Sequence, residues 1–169
     1  EKDMNRYYET GVEDFRIRFA QESDVGLILK FIKELADYEE LLHEVVATEE
    51  ILMESLFVKK QAEVIIGEYK GEPAGFALFF HNFSTFLGKA NLYLEDLYVD
   101  PAFRGKGLGK TLLSCLGRIA VERGCERLDW WCLDWNKSSI DFYLQMGAKP
   151  MDEWTVYRVD GENLPKLAD

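Results

Sequence analysis

The chain carries two hydrophobic periodicities, of two and of about 3.6 residues, and these predict its elements. Apolar and basic residues alternate in FRIRF at 15–19, which predicts a strand with one buried face. Apolar residues then recur at helical spacing up to about Tyr38, and Ser23 or Asp24 precedes them as a capping residue. A second helix is predicted from Thr48, because two acids follow it in the first turn.

The middle of the chain is rich in β-forming residues. Runs at 62–69 and 73–80 flank the turn Lys70-Gly71-Glu72 and predict an antiparallel hairpin. A strand over 92–99 ends before Pro101, since proline has no N–H to donate to a neighbouring strand. A helix follows to about Arg123. Further elements are predicted as a strand at 127–133, a helix at 136–146 and a last strand at 154–159.

This order predicts an α/β (α+β) fold: a mixed, mostly antiparallel sheet of six to seven strands with about four flanking helices. The strand–helix–strand unit between 92 and 133 requires one parallel crossover. A length of 169 residues suggests one domain. We assign that domain to residues 15–169 and expect residues 1–14 to be a flexible extension.

Composition limits the choice of partners. The formal net charge of −11 argues against binding to nucleic acid or an anionic membrane, and no apolar run has the length of a membrane span. The same charge suits a cationic substrate, although solubility explains it equally well. The three cysteines lie in apolar elements without a CxxC motif, which is typical of reduced thiols in a cytoplasmic protein. The two histidines have no ligand spacing, which argues against zinc.

The most informative segment is the glycine-rich stretch that follows the strand at 92–99. Arg104-Gly105-Lys106-Gly107-Leu108-Gly109 precedes an amphipathic helix, and glycines in this position leave the first helical N–H groups accessible to a phosphate. A Walker loop would need glycine at position 104, and a dinucleotide fingerprint would need it at position 110. A glycine-rich turn without a ligand is the remaining alternative.

Strand, proline, Arg-Gly-x-Gly-x-Gly and helix together resemble the pyrophosphate loop of the GNAT acetyltransferase superfamily, which binds acetyl-coenzyme A. The order of elements resembles the GNAT fold from about Phe15 to the end. Four further segments resemble the diamine and polyamine (spermidine/spermine) and thialysine acetyltransferase branch: ELADYE at 34–39, LYLEDLYV at 92–99, LDWN at 133–136 and IDFY at 140–143. The resemblance implies acetyl transfer to a small amine by a homodimer.

Acetyl transfer needs a neutral amine, and an alkylammonium has a pKa of about 10.4, so a base must remove its proton. Glu95 is the candidate base, because a carboxylate inside an apolar strand is costly to bury unless it is paired or catalytic. In a regular strand its neighbour Asp96 points to the opposite face. Either acid could instead bond to a nearby arginine, tyrosine or backbone group. Tyr143 is the candidate acid, although periodicity alone favours a core tyrosine.

The resemblance assigns roles to matching positions. Glu95 takes the amine proton through water, and Tyr143 protonates the coenzyme thiolate. The implied coenzyme-binding residues are Leu97, Tyr98, Val99, Arg104, Gly105, Lys106, Gly107, Leu108, Gly109, Lys110, Asn136, Lys137, Ser138, Ser139 and Tyr143. The implied substrate-binding residues are Tyr38, Glu39, Glu95, Asp129, Trp130, Trp131 and Asp152. Of the adjacent tryptophans at 130 and 131, one is expected in the core and the other beside the amine.

One segment departs from the polyamine enzymes. They carry an acid and a tryptophan before a Gly-Lys, whereas here STFLGK at 84–89 has no acid and has Phe86 in place of tryptophan. The loss of a counter-charge disfavours spermidine and spermine and leaves a diamine, thialysine or another small amine. The alternatives are a non-catalytic module that binds acetyl-coenzyme A or a partner, and an acetyltransferase for an aminoglycoside or a protein lysine.

Overall fold

The computed structural model describes residues 6–169, and the first of its two compact units extends to Trp131. That unit contains a six-stranded sheet whose spatial order follows the sequence. Each neighbouring pair is antiparallel except the last, which is parallel. The predicted mixed sheet with one crossover is therefore confirmed. Its strands are Tyr7–Glu9 (β1), Phe15–Phe19 (β2), Glu63–Tyr69 (β3), Glu72–Ser84 (β4), Lys89–Val99 (β5) and Leu128–Trp130 (β6).

Three helices belong to the first unit, and their ends follow from local capping. Thr48 accepts a hydrogen bond from the Ile51 N–H at 3.2 Å and begins the second helix, as predicted. Asp24 is the N-cap residue of the first helix, but its side chain makes no capping hydrogen bond there, because its carboxylate accepts from the Arg18 guanidinium and the Gln21 N–H. The helices are Val25–Tyr38 (α1), Glu49–Met53 (α2), which continues as a π-helical turn over Glu54–Val58, and Leu108–Glu122 (α3).

The second unit, Cys132–Asp169, contains helices Lys137–Gln145 (α4) and Asn163–Ala168 (α5). The strand predicted at 154–159 is wrong, because that segment has no regular backbone pairing in the described chain. The alternating apolar residues are typical of a strand, but a strand also needs a neighbouring strand to pair with. The strand predicted at 127–133 is shorter than expected and ends at Trp130. The single domain expected over 15–169 stays a prediction.

The N-terminal segment differs from the expected flexible extension. Tyr7–Glu9 pairs with β2, and the Tyr8 side chain is buried against Phe19 with ring centres 6.2 Å apart. Residues 1–5 lie outside the described part of the chain. The polar composition of this segment did not suggest that it packs on the protein. Burial of the Tyr8 ring stabilises its attachment to the edge of the sheet.

The core of the first unit lies on both faces of the sheet. Buried residues of α1, Ile28 and Phe31, pack on one face, where the Phe31 and Phe76 rings stack at 5.5 Å. The buried face of α3 includes Leu112, Leu116 and Ile119. Within the described residues, no helix combines the length and the apolar character that crossing a membrane requires.

Candidate active site

Strand β5 has two halves with different partners. Its first half pairs with β4 on one side and with β6 on the other, through Leu92, Tyr93 and Leu94. Beyond Leu94 only the pairing with β4 continues in the described chain. Residues 95–99 therefore leave one row of backbone N–H and C=O groups available to a ligand with amides of its own. Leu97, Tyr98 and Val99, which were predicted to hold the coenzyme, lie in this half.

A β-bulge separates the two halves. Asp96 pairs with Leu78 and Leu94 pairs with Phe79, so Glu95 is an additional residue in β5. Paired residues share a face of the sheet, and so do residues two apart. Asp96 therefore shares a face with Leu78 and Phe80 of β4, and so with Tyr93, the partner of Phe80. Glu95, two residues from Tyr93, adjoins the same face, and the predicted opposite orientation of the two acids is wrong because the bulge interrupts the alternation.

The burial of Glu95 also differs from the expectation. Glu95 is exposed, whereas Asp96 is half-buried. The pKa of Asp96 is raised to about 7, chiefly by burial and in addition by the charges of Glu95 and Glu39. The argument that an apolar run buries Glu95 is therefore wrong, since the bulge exposes this residue and places its neighbour against the sheet.

A third carboxylate reaches this place from α1. Glu39 directly follows the helix, and its pKa is raised by burial and by the charge of Glu95. The end of α1 is held beside β5, because the Tyr98 hydroxyl donates a 2.8 Å hydrogen bond to Glu34. Three carboxylates that repel one another, next to the negative end of a helix dipole, favour a bound cation. We call Glu39, Glu95 and Asp96 the acidic triad.

Aromatic side chains lie beside the acidic triad. The Tyr93 ring lies 5.0 Å from the Phe80 ring and 6.2 Å from the Trp131 ring, centre to centre. Burial raises the pKa of Tyr93, and the charges of Glu95 and Asp129 raise it further. Sequence reasoning named Trp131 and Asp129 but missed Tyr93 and Phe80. The position of Tyr93 two residues before Glu95 was the available signal.

The turn after β5 is built by capping. The Asp100 carboxylate accepts the Ala102 N–H at 2.9 Å, and Pro101–Phe103 forms one 3₁₀ turn. Arg104 then folds back, with its Nε donating to the Val99 carbonyl at 3.3 Å and its guanidinium 5.6 Å from the centre of the Tyr38 ring. The predicted loop thereby lies next to the end of α1.

Two glycines of this loop have the left-handed backbone that glycine adopts without strain. Gly105 has φ +82° and Gly107 has φ +75°. Gly107 is the N-cap of α3 and no side chain caps this end, which leaves the first helical N–H groups to a ligand. The Thr111 hydroxyl donates to the Gly107 carbonyl at 2.8 Å and fixes the turn. Gly109 is helical and has no such conformational requirement.

The second unit carries the remaining predicted residues. Asn136 is the N-cap of α4 and accepts the Ser139 N–H at 3.4 Å, so Lys137, Ser138 and Ser139 form the first helical turn. Tyr143 is half-buried, with its ring 5.4 Å from the Phe142 ring, and Asp152 lies in a turn. The roles of Asn136, Tyr143 and Asp152 stay predictions.

Comparison with known proteins agrees with this geometry. The model of the acetyltransferase (GNAT) family matches residues 29–148. Thialysine N-epsilon-acetyltransferase of Mus musculus is 38% identical over 165 residues, covering 90% of this chain and 96% of that protein. L-ornithine N5-acetyltransferase of Arabidopsis thaliana is 32% identical, covering 90% of this chain and 87% of that protein.

Solved structures agree at the level of the fold. An integron cassette protein from the mobile metagenome of V. cholerae has a TM-score of 0.76 and 30% identity, covering 92% of this chain and 98% of that chain. An aminoglycoside acetyltransferase from a soil metagenome has a TM-score of 0.73, but at 19% identity it shows the fold alone. The chain belongs to the GNAT acetyltransferase family, and it is an N-acetyltransferase that uses acetyl-coenzyme A as its acetyl donor.

Proposed function

We propose that the enzyme acetylates the terminal primary amine of a short basic amino acid, such as thialysine or ornithine. The observation that carries this proposal is the acidic triad beside the unpaired half of β5. An alkylammonium would be attracted there, next to a backbone edge suited to the amide-containing arm of the coenzyme. The names of two relatives, thialysine N-epsilon-acetyltransferase and L-ornithine N5-acetyltransferase, support the choice of substrate.

The proposed coenzyme site runs from the unpaired half of β5 to the start of α3. Amide groups of the pantetheine arm would pair with the backbone of Leu97, Tyr98 and Val99. The pyrophosphate would lie on the N–H groups that follow Gly107, where the dipole of a 15-residue helix favours negative charge. Asn136 to Ser139 of α4 are the further coenzyme contacts implied by the family resemblance.

The proposed reaction is a direct transfer. The neutral amine nitrogen attacks the thioester carbonyl, so that an N–C bond forms and the C–S bond breaks. Glu95 accepts the amine proton through water, and Tyr143 donates a proton to the departing thiolate. Asp96, whose pKa is raised to about 7, would be partly protonated near neutral pH and would lie beside Glu95 during the transfer.

The turn between β4 and β5 supports a short substrate. Residues 84–89 contain no carboxylate, and Lys89 is the only charged residue among them, paired with Glu126 at 3.3 Å. The second and third ammonium groups of a polyamine would find no counter-charge among these six residues, and the Glu126 carboxylate beside them is already paired with Lys89. Phe86 is 90% exposed and presents an apolar surface instead.

Release of free coenzyme thiol tests the proposal directly. The panel contains thialysine, ornithine, lysine, putrescine, spermidine and a histone-tail peptide. We expect kcat/KM for thialysine or ornithine to exceed that for spermidine at least about tenfold, because an unmatched ammonium costs about 1.4 kcal/mol or more. A preference for spermidine or the peptide would contradict the proposed substrate.

A non-catalytic coenzyme-binding module is the second candidate from the sequence, and no observation favours it. Tight coenzyme binding by calorimetry, without thiol release on any amine, would support it. The cytoplasmic location, inferred from the cysteines, and the homodimer, implied by the resemblance, stay predictions. Gel filtration with light scattering tests the dimer.

A further inference from the structure

Two tyrosine rings of the first unit, those of Tyr8 and Tyr69, are each flanked by two cationic side chains. The two groups differ, because a carboxylate pairs with the cations around Tyr8 and none pairs with those around Tyr69 in the described chain. Arg6 and Arg118 lie 4.4 and 5.2 Å from the Tyr8 ring centre. Both arginines pair with Glu122, at 3.5 and 3.2 Å. One carboxylate of the protein itself, that of Glu122, therefore partly balances the two positive charges around Tyr8.

The second group surrounds Tyr69 at the end of β3. Lys70 and Lys106 place their ammonium nitrogens 5.6 and 5.3 Å from the Tyr69 ring centre. In the described chain, neither lysine forms an ion pair with a carboxylate. In a chain with a net charge of −11, two ammonium groups that flank one ring and have no acidic partner are a candidate site for an anion supplied from outside.

The backbone at Lys70 is in a conformation that is costly for a lysine. This residue has φ +51° in the turn between β3 and β4, a left-handed conformation that asparagine and glycine adopt at lower cost. Gly71, next in the turn, has φ +81°. A lysine at this position holds its ammonium beside the Tyr69 ring at a conformational cost.

The position of Lys106 identifies the ligand. Lys106 lies between Gly105 and Gly107 in the proposed pyrophosphate loop, and its side chain extends towards Tyr69. The Tyr69 ring also makes an edge contact with Phe103 of the same turn, at 6.0 Å. In coenzyme A, the 3′-phosphate of the ribose is separated from the pyrophosphate by only the sugar, so an anion beside this loop lies within its reach.

We infer that Lys70 and Lys106, positioned by the ring of Tyr69, form the binding site for the 3′-phosphate of coenzyme A. This inference rests on the coenzyme site proposed above. A dianionic phosphate would pair with the two lysines beside Tyr69, as Glu122 pairs with the two arginines beside Tyr8. The site would distinguish coenzyme A from 3′-dephospho-coenzyme A, which lacks only this phosphate.

Calorimetric titration of the full chain with coenzyme A and with 3′-dephospho-coenzyme A tests the inference. We expect the wild-type protein to bind coenzyme A at least about fivefold more tightly. Lys70→Asn keeps the left-handed turn, and we expect it to lower that ratio about two- to fivefold, as is typical for one exposed ion pair. Lys106→Gln should do the same. Tyr69→Leu should lower the ratio, whereas Tyr69→Phe should retain it.

Lys60→Asn is the matched control, because Lys60 is also an exposed lysine with a left-handed backbone, φ +52°. Its ratio should equal that of the wild type. An unchanged ratio in both Lys70→Asn and Lys106→Gln, or no discrimination by the wild type, overturns the inference while the coenzyme site stands. Failure of the wild type to bind either nucleotide overturns the proposed coenzyme site as well.

Discussion

The two halves of β5 belong to one strand, but they differ in how their polar side chains are satisfied. In the half before the bulge, Asn91 is buried and its side-chain oxygen accepts the N–H groups of Glu126 and Arg127 at 2.9 and 3.0 Å. In the half after it, Asp96 is half-buried and its neighbours in space include two more carboxylates. One half satisfies its polar group within the protein, and the other holds groups that repel one another.

This difference indicates where the protein gives up stability for function. A buried amide with both hydrogen bonds made supports the junction of β5 and β6. A carboxylate whose pKa is raised by burial and like charge destabilises the fold when it ionises, unless a cation binds. The first half is therefore expected to control folding and the second half activity.

The largest effect is expected in the second half, on turnover. Glu95→Gln keeps the shape of the side chain but cannot accept a proton, so kcat/KM for the preferred amine should fall about 100-fold or more. The measurement is thiol release at saturating acetyl-coenzyme A. Glu54→Gln, which changes an exposed acid elsewhere, should leave the rate unchanged. A loss below about threefold in Glu95→Gln would remove Glu95 from the proton transfer.

The next effect is expected in the first half, on stability. Asn91→Ala removes a buried acceptor from two partly buried hydrogen bonds, those from the Glu126 and Arg127 N–H groups, and should lower the free energy of unfolding by about 1–2 kcal/mol. Urea unfolding measures it. Asn82 pairs opposite Asn91 in the sheet, and its buried side-chain oxygen has no hydrogen-bond partner in the described chain. Asn82→Ala is therefore the matched control and should change stability by less than about 0.5 kcal/mol.

If the two halves are functionally separate, Asn91→Ala should keep a near wild-type kcat/KM at temperatures where it stays folded. A loss of activity as large as that of Glu95→Gln, in folded protein, would contradict the division between the halves.

How far the sequence predicts this arrangement depends on the feature. Strand β5, Pro101, the glycines and α3 follow from local rules, since each depends on residues close in the chain. The position of Asp96 does not. A bulge adds a residue without a distinctive composition, and the shift it imposes on Asp96 is visible only in the pairing with Leu78 and Phe79. The strand at Tyr7–Glu9 was missed for a similar reason, because burial of Tyr8 depends on distant residues.

A smaller effect is expected at the loop that ends the second half. Gly107→Ala forces an alanine into φ +75° at the N-cap of α3, and the cost of about 1–2 kcal/mol should appear as roughly tenfold weaker coenzyme binding. Calorimetry measures it. Gly117→Ala in the middle of the same helix meets no atom within 4 Å and should leave coenzyme binding unchanged. Equal affinities in the two variants would remove the proposed phosphate site from this helix end.

The smallest effect concerns the stability cost of the acidic triad. The pKa of Asp96 is raised to about 7 in the folded protein, whereas an unfolded aspartic acid titrates near its ordinary value of 3.8. Between these values the folded state binds more protons than the unfolded state, so this group lowers stability as pH rises from about 4 to 7. Asp96→Asn removes the cost and should be about 1 kcal/mol more stable than the wild type at pH 8, discounted for partial exposure.

At pH 4 this gain should vanish, because Asp96 is then largely protonated in the folded wild type. Urea unfolding of both proteins at pH 4, 6 and 8 measures the trend, and the same variant should lose turnover at every pH. A gain that is independent of pH would mean that Asp96→Asn improves packing rather than relieving charge. A loss of stability at pH 8 would mean that the carboxylate is satisfied in the folded state, and the contrast between the halves of β5 would then disappear.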